Sequence, residues 1–214
     1  MDELKQLISV ADELRDITWE NQLLEILPKI QVRILSEDPQ VGPDGWPYLF
    51  VDTDSSAKEP LQKVLFWLAE RGIGLVLNPT KAYPDYVLSY GMIWYYRKYG
   101  QFENVVSSKP AGQEVVVQAD QKVQIKKPSE ESLPSYARKI IKEFFRDQGV
   151  YSPKALFVSF DGGTVFELAF SLESLGSPPQ EELSGIMEAL SWFFPTGLSL
   201  TLLKEAHFPQ FELL

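Results

Sequence analysis

The chain has 214 residues, of which 44% are hydrophobic and 23% are charged, and its formal net charge at pH 7 is −10. This composition predicts a packed core, excludes an intrinsically disordered chain, and argues against nucleic acid or an anionic membrane surface as the partner. With no cysteine and a single histidine, the chain lacks the side chains for disulfide bonds, a thiol nucleophile or sulfur-bound zinc. We therefore expect a cytoplasmic protein that uses no cofactor and has no membrane-spanning segment.

The first half of the chain predicts helices that alternate with strands, because apolar residues recur at helical spacing in some stretches and at strand spacing in others. The predicted helices cover 2–17, 21–27 and 56–71, and the predicted strands cover 30–34, 48–51, 73–77, 86–96, 115–117 and 123–125. Ser56 and Glu59 have the spacing of a capping box, which predicts that the third helix begins there. The apolar residues on its predicted buried face are Leu61, Val64, Leu65 and Leu68.

A charged, proline-containing segment divides the chain. The stretch 126–134, KKPSEESLP, has no apolar period and is typical of a linker. Beyond it, the patterning predicts a helix, a hairpin with its turn at 161–163, a second helix and a final strand at 198–203. The two helices of this α-β-β-α-β unit can cover one face of a small antiparallel sheet. We therefore expect an α+β fold of two small units, 1–127 and 128–214, each a mixed or antiparallel sheet covered by helices.

Four segments of the chain have recognisable wording and order: LFVDTDSSAKEPLQ, GIGLVLNP, LPSYARKIIKEFFRDQGVYSPKALFV and FFPTGLSLTLL. These segments resemble the SseB family, bacterial proteins named for an enhanced-serine-sensitivity phenotype. They cover roughly residues 46–90 and 133–203, and their motifs are mostly apolar patterns. The resemblance implies a two-domain bacterial protein of the cytoplasm, with an N-terminal and a C-terminal SseB domain and no established catalytic residues.

Two aspartates follow the predicted strand 48–51. Asp52 and Asp54 could hold magnesium beside a phosphate group, because carboxylates at the carboxyl end of a strand are suitable ligands for that ion. The alternative is a polar strand exit that leads into a capped helix, and we prefer it because such exits are common. Asn78, which precedes Pro79, could orient a ligand or could cap its own turn.

Aromatic residues are concentrated between 83 and 102. If this stretch is a strand, neighbouring side chains point to opposite faces, and one set of rings faces outward. Rings with polar tips are favoured at protein interfaces. The predicted contact surface is an exposed subset of Tyr86, Tyr90, Trp94, Tyr96 and Tyr99, with Arg97 and Lys98 at its rim.

These observations favour a non-catalytic, SseB-like protein that acts by binding a protein, by self-association or by binding a small ligand. An enzyme is the less favoured class. One alternative is a magnesium-dependent phosphate enzyme that uses Asp52 and Asp54. Another is a structural homo-oligomer joined through exposed strand edges.

Overall fold

The computed structural model describes residues 2–54, 56–80, 83–105 and 123–214. It divides the chain into two compact units, Met1–Ser108 and Lys109–Leu214. Each unit contains helices and a mixed sheet, so the predicted α+β fold in two units is confirmed. In the part of the chain that the structure describes, no helix is long and apolar enough to cross a membrane.

The first unit has four helices and six strands among its described residues. The helices are α1 (Asp2–Ile8), α2 (Ile17–Ile26), α3 (Leu61–Ala69) and α4 (Tyr90–Tyr99). The strands are β1 (Gln31–Ile34), β2 (Gln40–Val41), β3 (Pro47–Asp52), β4 (Glu59–Pro60), β5 (Gly74–Leu77) and β6 (Tyr86–Leu88).

The sheet of the first unit has the order β4-β1-β3-β5-β6, and β2 pairs with β3 beyond the end of β1. Strands β3 and β5 are parallel, with Val51 opposite Leu77, and the other pairs are antiparallel. All four residues of β5 are buried, as expected for a central strand with apolar side chains on both faces. The carboxyl ends of β3 and β5 therefore lie side by side within the sheet.

Two predicted helices of this unit differ from the structure. The segment 2–17 is interrupted, since α1 ends at Ile8 and only a short 3₁₀ turn follows at Asp12–Leu14. The predicted capping box is wrong, because α3 begins at Leu61 and Pro60 precedes it. Residues Glu59–Pro60 are extended and pair with β1, so they cannot form a first helical turn.

The second unit has two helices and five strands among its described residues. These are β7 (Gln124–Lys126), α5 (Ser135–Asp147), β8 (Lys154–Ser159), β9 (Glu167–Ser171), α6 (Leu183–Ser191), β10 (Leu200–Leu203) and β11 (Glu212–Leu213). The strand order is β10-β9-β8-β11, and β7 also pairs with β8. The predicted boundary between 127 and 128 therefore lies just after a strand of the second sheet. The strand predicted at 115–117 lies outside the described residues.

The hairpin predicted in the second unit is confirmed. Strands β8 and β9 are antiparallel, and the Asp161 carboxylate accepts bonds from the backbone N–H groups of Thr164 and Val165 in the connecting turn. Gly162 and Gly163 have φ angles of 82° and 101°, which glycine adopts without steric cost.

The sheet of the second unit is the mixed form of the expected mixed or antiparallel sheet, and not the small antiparallel sheet that the α-β-β-α-β pattern suggested. Strand β10 runs parallel to β9, with Leu200 opposite Leu168 and Leu203 opposite Ser171. Helix α6 lies between the two strands in the chain and returns it to the end of the sheet where β9 began, so β10 must run in the same direction. The sheet is therefore mixed, with its parallel pair at one edge.

Candidate interaction surface

The aromatic stretch forms a short strand followed by a helix, so the single strand predicted over 86–96 is wrong. The Ser89 hydroxyl accepts a bond from the N–H of Met92 and caps α4, and Gly100, with a φ of 73°, ends it. Aromatic residues have high strand propensity, but these end signals and the packing of one helical face decide the structure. The expected alternation of rings between two sheet faces does not occur.

Three of the five predicted contact rings lie in the core of the first unit. Tyr90, Trp94 and Tyr96 are 0%, 2% and 1% exposed. The Tyr90 hydroxyl donates to the carbonyl of Ala69 on α3, at 2.9 Å. These rings pack α4 against the rest of the unit and are not accessible to a binding partner in the folded chain.

The other two predicted rings are accessible to different degrees. Tyr86 is half-buried, and its hydroxyl donates to the Glu20 carboxylate. Burial, together with this acidic neighbour, raises the pKa of Tyr86. Tyr99 is 50% exposed and contacts the ring of Tyr95. Of the predicted five, Tyr99 has the most exposed ring.

Of the two predicted rim cations, Arg97 bonds to the last turn of α3. It donates to the backbone carbonyl of Phe66 and to the Glu70 carboxylate, both at 2.7 Å, and its guanidinium lies 5.6 Å from the centre of the Phe66 ring. Lys98 is directed elsewhere, because its ammonium lies 4.6 Å from the centre of the Tyr99 ring. The two cations therefore have different aromatic neighbours.

Four side chains from α3, from the turn after it and from α4 form a partly exposed surface, which we call the arginine–aromatic patch: Phe66, Trp67, Arg71 and Arg97. Phe66 is 38% and Trp67 is 41% exposed. The Arg71 guanidinium lies 4.2 Å from the centre of the Trp67 ring and donates to the Trp67 carbonyl at 3.0 Å. Cation–π contacts from both arginines hold the two rings in place.

The contact surface predicted from the sequence did not include Phe66 and Trp67, although their positions in the sequence indicate that they are exposed. The predicted buried face of α3 has apolar residues at helical spacing, and the structure buries Leu61, Val64, Leu65 and Leu68. Phe66 and Trp67 lie off that face, so two consecutive large rings had to be turned outward. Adjacent rings outside the apolar stripe of a helix would have identified this surface.

The two aspartates proposed for magnesium bind an arginine. Arg33 lies 3.3 Å from the Asp52 carboxylate and 2.7 Å from that of Asp54. Asp54 also accepts bonds from the Ser56 hydroxyl and N–H. The Ser56 and Arg33 bonds lower the pKa of Asp54 to about 2. Within the described ranges, no group of three or more His, Cys, Asp or Glu side chains could hold a metal ion.

Asn78 lies at the carboxyl end of β5, is 4% exposed and has a φ of 54°. Its amide oxygen accepts from the N–H and hydroxyl of Thr53, which follows β3. Its amide nitrogen donates to the buried carboxylate of Asp85, at 2.7 Å. Both ends of the amide are thus engaged in joining three chain segments, which supports the turn-forming interpretation of Asn78.

A surface pocket of about 410 Å³ adjoins this network. Its lining residues are Asp12, Arg15, Trp19, Tyr83, Pro84 and Asp85. The Arg15 guanidinium is used within the fold, since it donates to the side chain and the carbonyl of Asp85 and to the carbonyls of Ile8 and Val10. It also contacts the Asp12 carboxylate at 2.9 Å. The cation beside this pocket therefore serves the fold.

No family model, curated protein or solved structure matches this chain. The resemblance to the SseB family consequently remains an expectation from the sequence.

Proposed function

We propose that this chain is a non-catalytic, SseB-like protein of the bacterial cytoplasm that acts by binding another protein through the arginine–aromatic patch. The observation that supports the proposal is the exposure of Phe66 and Trp67 beside two ordered arginines. Tryptophan, tyrosine and arginine are the residues that most often dominate binding energy in protein interfaces. Large rings left in water lose the stabilisation that burial provides, and a partner would restore it.

The geometry of the patch is suited to a rigid contact. Arg97 is held by Glu70 and by the Phe66 carbonyl, and Arg71 is held by the Trp67 carbonyl. Side chains that are already ordered lose less conformational entropy when a partner binds. The rings supply apolar area, and the arginines supply hydrogen-bond donors at its margin.

The test compares capture of partners by wild-type protein and by Trp67→Ala from lysate of the source cell, with quantitative mass spectrometry as the readout. If Trp67 is a central anchor, its truncation should weaken binding of the specific partner about 30-fold, since such anchors contribute about 2 kcal/mol or more. The melting temperature should stay near that of wild type, because the ring is partly exposed.

The matched control is Tyr151→Ala, which removes a ring that is 79% exposed in the second unit. It should capture the same partners as wild type. Equal capture by wild type, Trp67→Ala and Tyr151→Ala would contradict the proposal. Loss of capture in both variants would show that the effect is not specific to the patch.

The magnesium-dependent enzyme remains an alternative hypothesis. The ion pairs of Asp52 and Asp54 with Arg33 support a structural role for both carboxylates. A phosphatase screen with magnesium tests this alternative directly. Turnover of a phosphoester by wild type that is absent from the Asp52→Asn, Asp54→Asn double variant would favour the enzyme over the binding protein.

A further inference from the structure

Strand β10 has an edge with no partner strand among the described residues. The N–H of Leu168 donates to the carbonyl of Ser199, and the N–H of Leu172 donates to the carbonyl of Leu203. Alternate residues of a strand direct their backbone groups to the same side. Residues 199, 201 and 203 therefore bond to β9, and the N–H and C=O groups of Leu200 and Leu202 point away from it.

The edge of β10 lacks the features that usually protect a terminal strand from pairing. Its sequence, Leu-Thr-Leu-Leu, contains no charge, proline or glycine, and all four residues are half-buried. The opposite edge of the same sheet has the two-residue β11 with Glu212 and the three-residue β7 with Lys126, and the first sheet ends at the two-residue β4 with Pro60 and at the three-residue β6. Short strands, charges and prolines are the common means of blocking edge-to-edge association.

We infer that β10 pairs antiparallel with β10 of a second copy, so that the two sheets of the second units become one continuous sheet. This surface is separate from the arginine–aromatic patch, and the inference goes beyond the proposed binding function. A second copy fits because the strand is complementary to itself. A twofold axis at Thr201 places Leu200 opposite Leu202 of the other copy, and these are the residues whose backbone groups point outward.

This register makes two hydrogen-bonded residue pairs, each of which exchanges two N–H···O bonds. Thr201 then faces Thr201 of the second copy at the position between them, where no backbone bonds form and the Cα atoms lie about 4.5 Å apart. The strand presents no like charges that would oppose this pairing. One pair of four-residue strands buries less than the roughly 1,200 Å² of a stable complex, so we expect a weak dimer that depends on concentration.

The inference is tested by crosslinking, which the absence of native cysteine makes specific. A Thr201→Cys variant would bring two sulfurs together at a Cα separation within the disulfide range of about 4.4–6.8 Å. Under mild oxidation it should form a disulfide-linked dimer at least about tenfold faster than a Thr164→Cys control, because pairing raises the effective concentration of the thiols. Thr164 is exposed in the β8–β9 turn and can react only through random collision.

Sedimentation of the wild type gives a measurement that does not depend on any variant folding correctly. The sedimentation coefficient should rise with protein concentration towards that of a dimer, and Thr201→Lys should abolish the rise by placing like charges opposite each other. A wild type that remains monomeric up to about millimolar concentration would overturn the inference. Crosslinking of Thr201→Cys at the rate of the control would also overturn the inference. An extended segment of another protein would then be the favoured partner of the β10 edge.

Discussion

Within each unit, a cluster of polar side chains lies at the carboxyl ends of the two parallel strands. The clusters of the two units differ in burial. In the first unit, Asn78 and Asp85 are 4% and 3% exposed and are joined by an amide–carboxylate hydrogen bond. In the second unit, the Glu205 carboxylate, 29% exposed, accepts bonds from Lys154 and Ser171. The carboxyl ends of a parallel pair of strands can therefore be stabilised by a buried hydrogen-bond network or by a partly hydrated ion pair.

The difference in burial predicts that mutations in the two clusters differ in their effect on stability, because a polar group left without a hydrogen-bond partner costs free energy. A buried donor or acceptor that loses its partner cannot bond to water instead, whereas a partly exposed one can. Removing one member of the buried cluster should therefore cost more stability than removing one member of the exposed cluster. Position in the sheets also differs, since the parallel pair is internal in the first unit and lies at an edge in the second.

The largest effect is expected from Asn78→Ala. This change removes the bonds to Thr53 and Asp85 and places alanine at a φ of 54°. We expect the free energy of unfolding of the first unit to fall by about 3 kcal/mol, because the buried Asp85 carboxylate keeps Arg15 but loses its bond from Asn78, and because alanine is strained at this φ. Chemical denaturation measures the change. Asn104→Ala, at an exposed position of the same unit, should stay within about 0.5 kcal/mol of wild type.

A change no larger than that of Asn104→Ala would contradict the comparison, because burial of the cluster would then contribute nothing to stability.

Glu205→Gln tests the partly exposed cluster of the second unit. The bonds from Lys154 and Ser171 lower the pKa of Glu205 below its ordinary value of 4.5. A lowered pKa means that the ionised carboxylate stabilises the folded state above that value and ceases to do so as the pH falls through the lowered one.

We therefore expect Glu205→Gln to lower the melting temperature at pH 7, by less than Asn78→Ala does, and the difference from wild type to vanish in acid. Thermal melts between pH 7 and pH 2 measure both effects. Glu188→Gln is the control, since Glu188 is exposed on α6. If the melting temperature of Glu205→Gln stays equally far below that of wild type at the lowest pH, the lost ion pair with Lys154 is not the cause of the difference.

The smallest effect concerns Asp54, which is exposed near the buried cluster of the first unit. Its carboxylate should titrate at about pH 2, as measured by NMR, because bonds from Ser56 and Arg33 favour the ionised form. Both Ser56→Ala and Arg33→Gln should move the midpoint towards the ordinary value of 3.8, with a larger shift for Ser56→Ala. The melting temperature should hardly change, since exposed ion pairs contribute little. A midpoint that moves sharply on addition of magnesium would instead support the metal-site alternative.

The sequence determined the elements whose local signals agree. The β8–β9 hairpin has alternating apolar residues and a glycine-containing turn, and α5 has apolar residues at a single helical period, so both form as predicted. The α+β class in two units follows from the same patterns. The strand termini Asp52 and Asn78 were also recognisable as polar turn positions, although their partners were not.

The tertiary structure decided the features that depend on neighbours distant in the chain. The stretch from Tyr86 to Tyr99 is so rich in aromatic residues that strand and helix periods fit it equally well, and packing against α3 selects the helix and buries Tyr90 and Trp94. The direction of β10 follows from the return of the chain through α6. The exposure of Trp67 follows from which face of α3 meets the core. Apolar pattern indicates that a residue can be buried, but only the assembled elements determine which residues find a partner and which remain in water.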